Sequence, residues 1–304
     1  MQSYTRSSGP SQADSNDLVD TVMVGDSWVL AKTLPDEFVQ CIVTSPPYWG
    51  HRQYTTNSSS LRNSEFGLES EPEEYVQKLV ALFGELRRAL KSDGTLWLNL
   101  GDTYRNGQLV GIPWRVALAL QDTGWILRSE IIWSKPNAMP SPVKNRPTTA
   151  HETVFLFAKT RKYFYNADAI REPHVTFTGE SRMKGGRKHL GVPYGTPENG
   201  KNRGNPNLHK GRWDQAFHPL GRNKRTVWDI PLSKFREAHF AVFPEKLVEV
   251  CILAGTSEDD IVLDPFMGSG TTALVARDLE RHFVGLELLP EYAEMTMRRV
   301  ARLF

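Results

Sequence analysis

Ile261-Val262-Leu263-Asp264-Pro265-Phe266-Met267-Gly268-Ser269-Gly270-Thr271-Thr272 is a short apolar run that breaks into a glycine-rich turn. A helical stretch from Ala273 to about Glu280 follows, and His282-Phe283-Val284-Gly285-Leu286-Glu287 reads as a second buried strand. This is a β-α-β unit with a glycine-rich first turn and an acid at the tip of its second strand, twenty-three residues beyond Asp264. Glycines let the backbone approach a ligand closely, and an acid so placed can accept hydrogen bonds from ribose hydroxyls. The turn has neither the lysine of a P-loop nor the spacing G-x-G-x-x-G, which weakens ATP and NAD as ligands. A nucleoside-like cofactor is expected there.

Working outward, the same alternation recurs. Thr21-Val22-Met23-Val24 ends at Gly25-Asp26, a short helix is expected from Ser27 to about Leu34, and Phe38 to Val43 is a further apolar run. Glu71-Pro72-Glu73-Glu74 opens a helix with its apolar residues at helical spacing to Lys91, and Ser92-Asp93-Gly94 is read as its close. Thr95 to Leu100 is a strand, Ile112 to Asp122 a helix, and Trp125 to Trp133 and Thr153 to Ala158 a strand pair flanking the proline-rich loop Lys135 to Pro147. Phe243-Pro244-Glu245 opens another helix that ends at Gly255. Repeated β-α-β units predict an α/β fold, a mostly parallel sheet with helices on both faces, which binds ligands beyond the carboxyl ends of its strands.

At one such end lies Thr44-Ser45-Pro46-Pro47-Tyr48-Trp49-Gly50. The two prolines fix their own φ and drive the residues before them into extended conformations, so neither helix nor central strand can continue. The result is a stiff loop that presents a hydroxyl, carbonyl acceptors and an aromatic pair. His51 to Ser64, with Asn57-Ser58-Ser59-Ser60, is read as a mobile loop beside it, able to act as a lid.

With 304 residues, 39% of them hydrophobic, the chain is expected to fold as one large domain or as one domain plus an insertion. Its two cysteines, Cys41 and Cys251, have no spaced companions, so neither a metal site nor a disulfide framework is expected, and a reducing cytoplasm fits. No apolar run approaches membrane-spanning length, and residues 1–20 read as a frayed polar tail without a signal-peptide core. From His174 to Thr226 the composition shifts: eleven Lys and Arg stand against three acids, and glycine, proline and asparagine are dense. Arg182, Lys184, Arg187, Lys188, Arg203 and Arg212 in this stretch are candidates for contact with phosphates. A solvated disordered insertion is the bland alternative.

Two segments resemble those of a known family. Asp264-Pro265-Phe266-Met267-Gly268-Ser269-Gly270-Thr271 resembles the S-adenosylmethionine-binding motif of amino-group DNA methyltransferases, and Ser45-Pro46-Pro47-Tyr48 resembles their catalytic motif. The catalytic motif comes first, then the basic insertion, then the cofactor motif, an order that resembles the β class, a circular permutation of the Rossmann-like class I methyltransferase fold. The resemblance runs from about Asp26 to Arg299. It implies a catalytic half over 21–173, a target-recognition insertion over 174–226 and a cofactor-binding half over 227–304. It further implies S-adenosyl-L-methionine as cofactor and duplex DNA as partner, with a cognate restriction endonuclease as a further partner and a monomer or homodimer as the assembly. Asp264, Pro265, Phe266, Gly268, Ser269, Gly270, Thr271 and Glu287 fall to the cofactor by this resemblance, with Asp26 at its adenine end and Phe243 near its methionine end. Trp49 and Arg52 are candidates for the DNA entrance, and Trp133-Ser134-Lys135-Pro136 matches a family segment near the target base whose role the sequence does not assign.

The exocyclic amine of a base is a poor nucleophile because its lone pair is delocalised into the ring. Ser45 and the Pro46 carbonyl are suited to accept its hydrogens and localise that pair, with Tyr48 stacked on a base flipped out of the duplex. Methylation at cytosine C5 would need a cysteine in the proline loop, and there is none. Serine at the first motif position is associated in this family with cytosine N4, and aspartate with adenine N6. Adenine N6 remains the alternative, followed by a catalytically silent nucleic-acid-binding protein and by an RNA or protein methyltransferase.

Overall fold

The computed structural model describes residues 15–51, 53–55, 61–173, 220–232 and 244–303. Two units are distinguished: Met1–Asn166 with Thr226–Phe304, and Ala167–Arg225. The first carries an eight-stranded sheet. In chain order its elements are β1 (Thr21–Val24), α1 (Ser27–Ala31), β2 (Val39–Thr44), α2 (Pro72–Ala89), β3 (Leu90–Leu100), a small hairpin of β4 (Tyr104–Arg105) and β5 (Gln108–Leu109), α3 (Ile112–Asp122), β6 (Ile126–Ser134), β7 (His151–Ala158), β8 (Val227–Asp229), α4 (Glu245–Gly255), β9 (Ile261–Asp264), α5 (Thr271–Asp278), β10 (His282–Glu287) and α6 (Pro290–Val300).

The strand order is β1-β10-β9-β2-β3-β7-β6-β8. From β1 to β3 every pairing is parallel, whereas β7 runs antiparallel to both β3 and β6. The reversal has a local cause: β6 and β7 are joined by an irregular proline-rich loop rather than a crossover helix, so the chain returns alongside the strand it left. Helices cover both faces, with α1, α2 and α3 packed together on one and α4, α5 and α6 on the other. Strands β2, β9 and β10 and the Thr95–Leu100 part of β3, sandwiched between these layers, are mainly apolar and almost wholly buried. This is the Rossmann-like α/β fold expected from the alternating pattern. Among the described residues, no helix is long and apolar enough to cross a membrane.

Helix α2 follows its sequence: Pro72 sits in its first turn with Glu73 and Glu74, and its buried face is formed by Tyr75, Leu79, Leu82, Phe83 and Leu86. Three sequence expectations need correction. Ser92-Asp93-Gly94 does not separate α2 from a strand that begins at Thr95; β3 starts at Leu90, and these residues form an excursion between the pairs Val39↔Leu90 and Cys41↔Thr95. Gly94 is required there, since a Cβ would lie 2.8 Å from the Gln40 carbonyl oxygen. Second, the N-terminal tail is not loose up to residue 20. Leu18 is buried, and the Asp20 carboxylate holds the Phe283 amide, His282 and Arg277. Third, the hairpin β4-β5 and the edge strand β8 were not anticipated; β8 pairs with β6 in parallel, and the buried Trp133 indole donates to the Ile230 carbonyl.

In the second unit, the described residues centre on Glu172, whose carboxylate pairs with Arg222, Lys224 and Arg225 at 3.2–3.6 Å. This unit begins at Ala167, seven residues before the compositional shift at His174. Arg182, Lys184, Arg187, Lys188, Arg203 and Arg212 lie outside the described residues, as do Arg52 and Phe243.

Candidate active site

Strands β2 and β9 are adjacent and parallel, with Cys41 opposite Val262 and Ile42 opposite Leu263. After β9 the chain moves to β10 on one side, and after β2 it moves to β3 on the other. The order of the sheet therefore reverses between these two strands, and a crevice opens beyond their carboxyl ends. Both singled-out segments leave the sheet there, one from each strand, although they lie more than two hundred residues apart.

The crevice holds a cavity of about 310 Å³. Ser45, Pro46, Pro47 and Tyr48 line one part of it, and Pro265, Phe266, Gly268, Ser269, Thr271 and Glu287 another. Ser27, Phe66, Leu288 and Tyr292, which the sequence did not mark, complete much of the remaining wall.

Asp264 and Gly270, expected at the cofactor, do not line the cavity; they build it. The Thr44 hydroxyl, immediately before Ser45, donates to Asp264 Oδ1 at 2.6 Å. Thr272 donates to Oδ2 at 2.7 Å, and the Phe266 amide to Oδ1 at 3.0 Å. One buried carboxylate thus ties the proline loop to the glycine turn. Burial outweighs these donors and raises the Asp264 carboxyl to about 6. Gly270 adopts φ +83°, and a Cβ there would sit 2.5 Å from Thr296 Oγ1, so only glycine lets α5 start against α6.

Glu287 does face the cavity, and its carboxylate already accepts the Gly268 amide at 2.7 Å and the Leu289 amide at 2.9 Å. Burial pushes it up to about 7, against the pull of those amides. Thr271 Oγ1 is buried, and among the described residues it has no hydrogen-bond partner.

Asp26 caps α1, its carboxylate accepting the Trp28 amide at 2.8 Å and the Val29 amide at 3.4 Å; its neighbour Ser27 is the residue that reaches the cavity. Trp49 is not at an entrance. Its ring is buried in the core and its Nε1 donates to the Glu69 carbonyl at 2.8 Å. At the other end of the loop described as a lid, Glu65 accepts the Thr55 amide at 2.9 Å and so pins the returning chain beside the cavity.

Tyr48 is fixed on several sides. Gly101 lies so close to its ring that a Cβ would be 2.4 Å from Cε2. Its hydroxyl donates to Glu152 Oε2 at 2.6 Å and accepts from Ser45 Oγ at 3.1 Å and Asn99 Nδ2 at 2.8 Å. Tyr75 donates to the Pro47 carbonyl at 2.8 Å. Cys41 and Cys251 are both buried and do not line the cavity, and burial pushes the Cys41 thiol up to about 12. Neither thiol is placed for covalent attack on a base in the cavity.

Residues 39–298 match the N6/N4 DNA methylase family. The chain is 38% identical to the Type II methyltransferase M.Cfr9I of Citrobacter freundii, over 92% of this chain and 87% of that protein. This chain belongs to that methylase family. The methylase is also 36% identical to the Type II methyltransferase M.SmaI of Serratia marcescens, over 92% of this chain and 90% of the relative. Among solved structures, the PvuII DNA methyltransferase, described as cytosine-N4-specific, superposes with a TM-score of 0.65 at 23% identity and covers 91% of the methylase and 85% of that chain. A modification methylase of Thermus thermophilus, solved in complex with S-adenosyl-L-methionine, gives a TM-score of 0.58 at 24% identity, covering 93% and 95%. At these identities the two structures establish the shared fold.

Proposed function

We propose that this methylase transfers a methyl group from S-adenosylmethionine to the exocyclic N4 amine of cytosine in a short duplex recognition sequence. The observation that carries the reading is that Ser45 and Pro46 share one cavity at the switch point of the sheet with Gly268, Ser269 and Thr271. The cofactor suits the donors present. Gly268, Phe266 and Tyr292 surround space of nucleoside size, Glu287 offers a carboxylate for ribose hydroxyls, and Thr271 Oγ1 is a buried polar atom in need of a partner. When bound, S-adenosylmethionine supplies an electrophilic methyl group on a sulfonium sulfur.

The protein's part is alignment. A flipped base would enter beside Tyr48, with Ser45 Oγ and the Pro46 carbonyl accepting the two amine hydrogens and localising the lone pair on nitrogen. Serine rather than aspartate at position 45 favours cytosine N4 over adenine N6, and the lack of a cysteine in the proline loop disfavours cytosine C5. The relatives' Type II designation supports duplex DNA as substrate, action in the cytoplasm and a companion restriction endonuclease. The basic stretch 174–226 is assigned to reading the DNA, with phosphate contacts from its arginines and lysines.

Unmethylated phage DNA incubated with the protein and methyl-labelled S-adenosylmethionine, then digested to nucleosides for mass spectrometry, tests this directly. N4-methylcytosine is expected. N6-methyladenine would move the assignment to adenine, and unlabelled DNA that nevertheless binds the protein would leave a silent binding module.

A further inference from the structure

Trp133-Ser134-Lys135-Pro136, the segment without an assigned role, ends at a polar chain that reaches the cavity. Lys135 Nζ pairs with Glu152 Oε1 at the start of β7, and its own position is fixed by the Trp133 ring, 4.5 Å from the ammonium. Both charged groups are largely buried, at 14% and 15% side-chain exposure. The other carboxylate oxygen, Oε2, accepts from Tyr48 and, at 2.9 Å, from Asn99 Nδ2. Asn99 Nδ2 also lies 3.2 Å from Ser45 Oγ. Ser45, Tyr48 and Glu152 all line the cavity.

An ionised carboxylate can only accept, so the Tyr48 proton must point toward Glu152. The Tyr48 oxygen is then free to accept the Ser45 proton, and the Ser45 lone pairs are turned to Asn99 and to the cavity. The hydroxyls are aligned in one direction: Ser45 to Tyr48 to Glu152. Burial and the charge of Glu152 raise Tyr48 well above an ordinary phenol, so that it holds its proton and remains a donor.

We propose that Glu152 is a positioning residue and terminal proton acceptor, drawing the proton released by methylation out of the cavity through Ser45 and Tyr48. This rests on the amino-methyltransferase reading above. In that step the nitrogen lone pair forms the new N–C bond while the S–C bonding pair stays on sulfur, leaving a neutral sulfide and a cationic nitrogen with one proton too many. That proton passes to Ser45 Oγ as the Ser45 proton passes to Tyr48 and the Tyr48 proton to Glu152 Oε2. The product is a neutral methylamine, and Glu152 returns its proton to solvent once the base has left. The same alignment acts earlier, because it presents Ser45 as an acceptor to the amine rather than as a competing donor. Lys135 holds Glu152 in place between turnovers.

The test is single-turnover methyl transfer to unmethylated phage DNA at saturating cofactor, with DNA affinity read by anisotropy and cofactor affinity by calorimetry. Glu152→Gln keeps the shape but cannot take the proton, and its rate is expected to fall on the order of 10²-fold with both affinities within about threefold of the unmutated protein. Glu152→Asp should recover part of the loss. Tyr48→Phe should fall similarly, and the double variant should be no more than about threefold slower than the worse single one, because two links in series break only once. A Glu152→Gln rate close to that of the unmutated protein, losses that multiply in the double variant, or a loss that follows weakened binding would each overturn the relay while normal labelling by the unmutated protein upholds the reading it rests on. An unmutated protein that labels no DNA would remove both.

Discussion

Replacing Asp264 by asparagine isolates the buried carboxylate between the two loops. In the native chain it receives hydrogen bonds from Thr44, Thr272 and the Phe266 amide, yet its ionisation is displaced upward, from an ordinary 3.8 to about 6, because only 1% of the residue is exposed. At about 1.4 kcal/mol per pH unit, the ionised form is burdened by roughly 3 kcal/mol relative to the unfolded chain. With the folded value above the unfolded one, this burden is absent below about pH 4, grows as the pH rises toward about 6 and is complete above it, so stability is lost across that window. Asparagine is nearly isosteric. Its oxygen can still accept Thr44 and the Phe266 amide, and its amide can donate to Thr272, at a cost of about 1 kcal/mol for the reversed bond. Asp264→Asn is therefore expected to be about 2 kcal/mol more stable than the native protein at pH 8 in urea unfolding, and about equally stable near pH 4.5. Equal slopes of stability against pH for the two proteins, or a variant destabilised at pH 8, would refute the reasoning.

Glu287 gives a prediction for the cofactor. Ribose hydroxyls donate better to a carboxylate than to a carboxyl, so affinity for S-adenosylmethionine should rise with pH up to about 7 and level off above it, as followed by calorimetry. Glu287→Gln should abolish that dependence, and a pH-independent affinity of the native protein would remove Glu287 from the ribose. Gly270→Ala meets both a positive φ and the Thr296 side chain, and is expected to lower stability by about 1–3 kcal/mol. Adding Thr296→Ala should relieve the contact but not the backbone strain, so only partial recovery is expected in thermal melts.

Much of the sheet was readable because its strands are continuous apolar runs broken by glycine and proline, and its helices carry period-3.6 faces with proline at their starts. The start of β3 was not, because Ser92-Asp93-Gly94 has the composition of a helix stop while pairing geometry carries the strand through it. The proline loop and glycine turn announced themselves through residue types that constrain the backbone. What escaped was the division of labour among neighbours. Asp264 and Trp49 have functional chemistry in isolation, but the first is consumed by Thr44 and Thr272 and the second by core packing. Asn99 lies inside an apolar strand pattern and Glu152 just before one, and neither gives a local signal of its partner; only the antiparallel register of β7 against β3 brings them to Tyr48.

The bond from Thr44 to Asp264 sets how far the acceptor loop stands from the donor loop, and it depends on the register of two adjacent strands rather than on the long stretch of chain that separates them. The reacting geometry is thereby insulated from whatever lies between. On the proposed assignment of residues 174–226 to reading DNA, substitutions there would change the sequence recognised while leaving this spacing between the two loops in place.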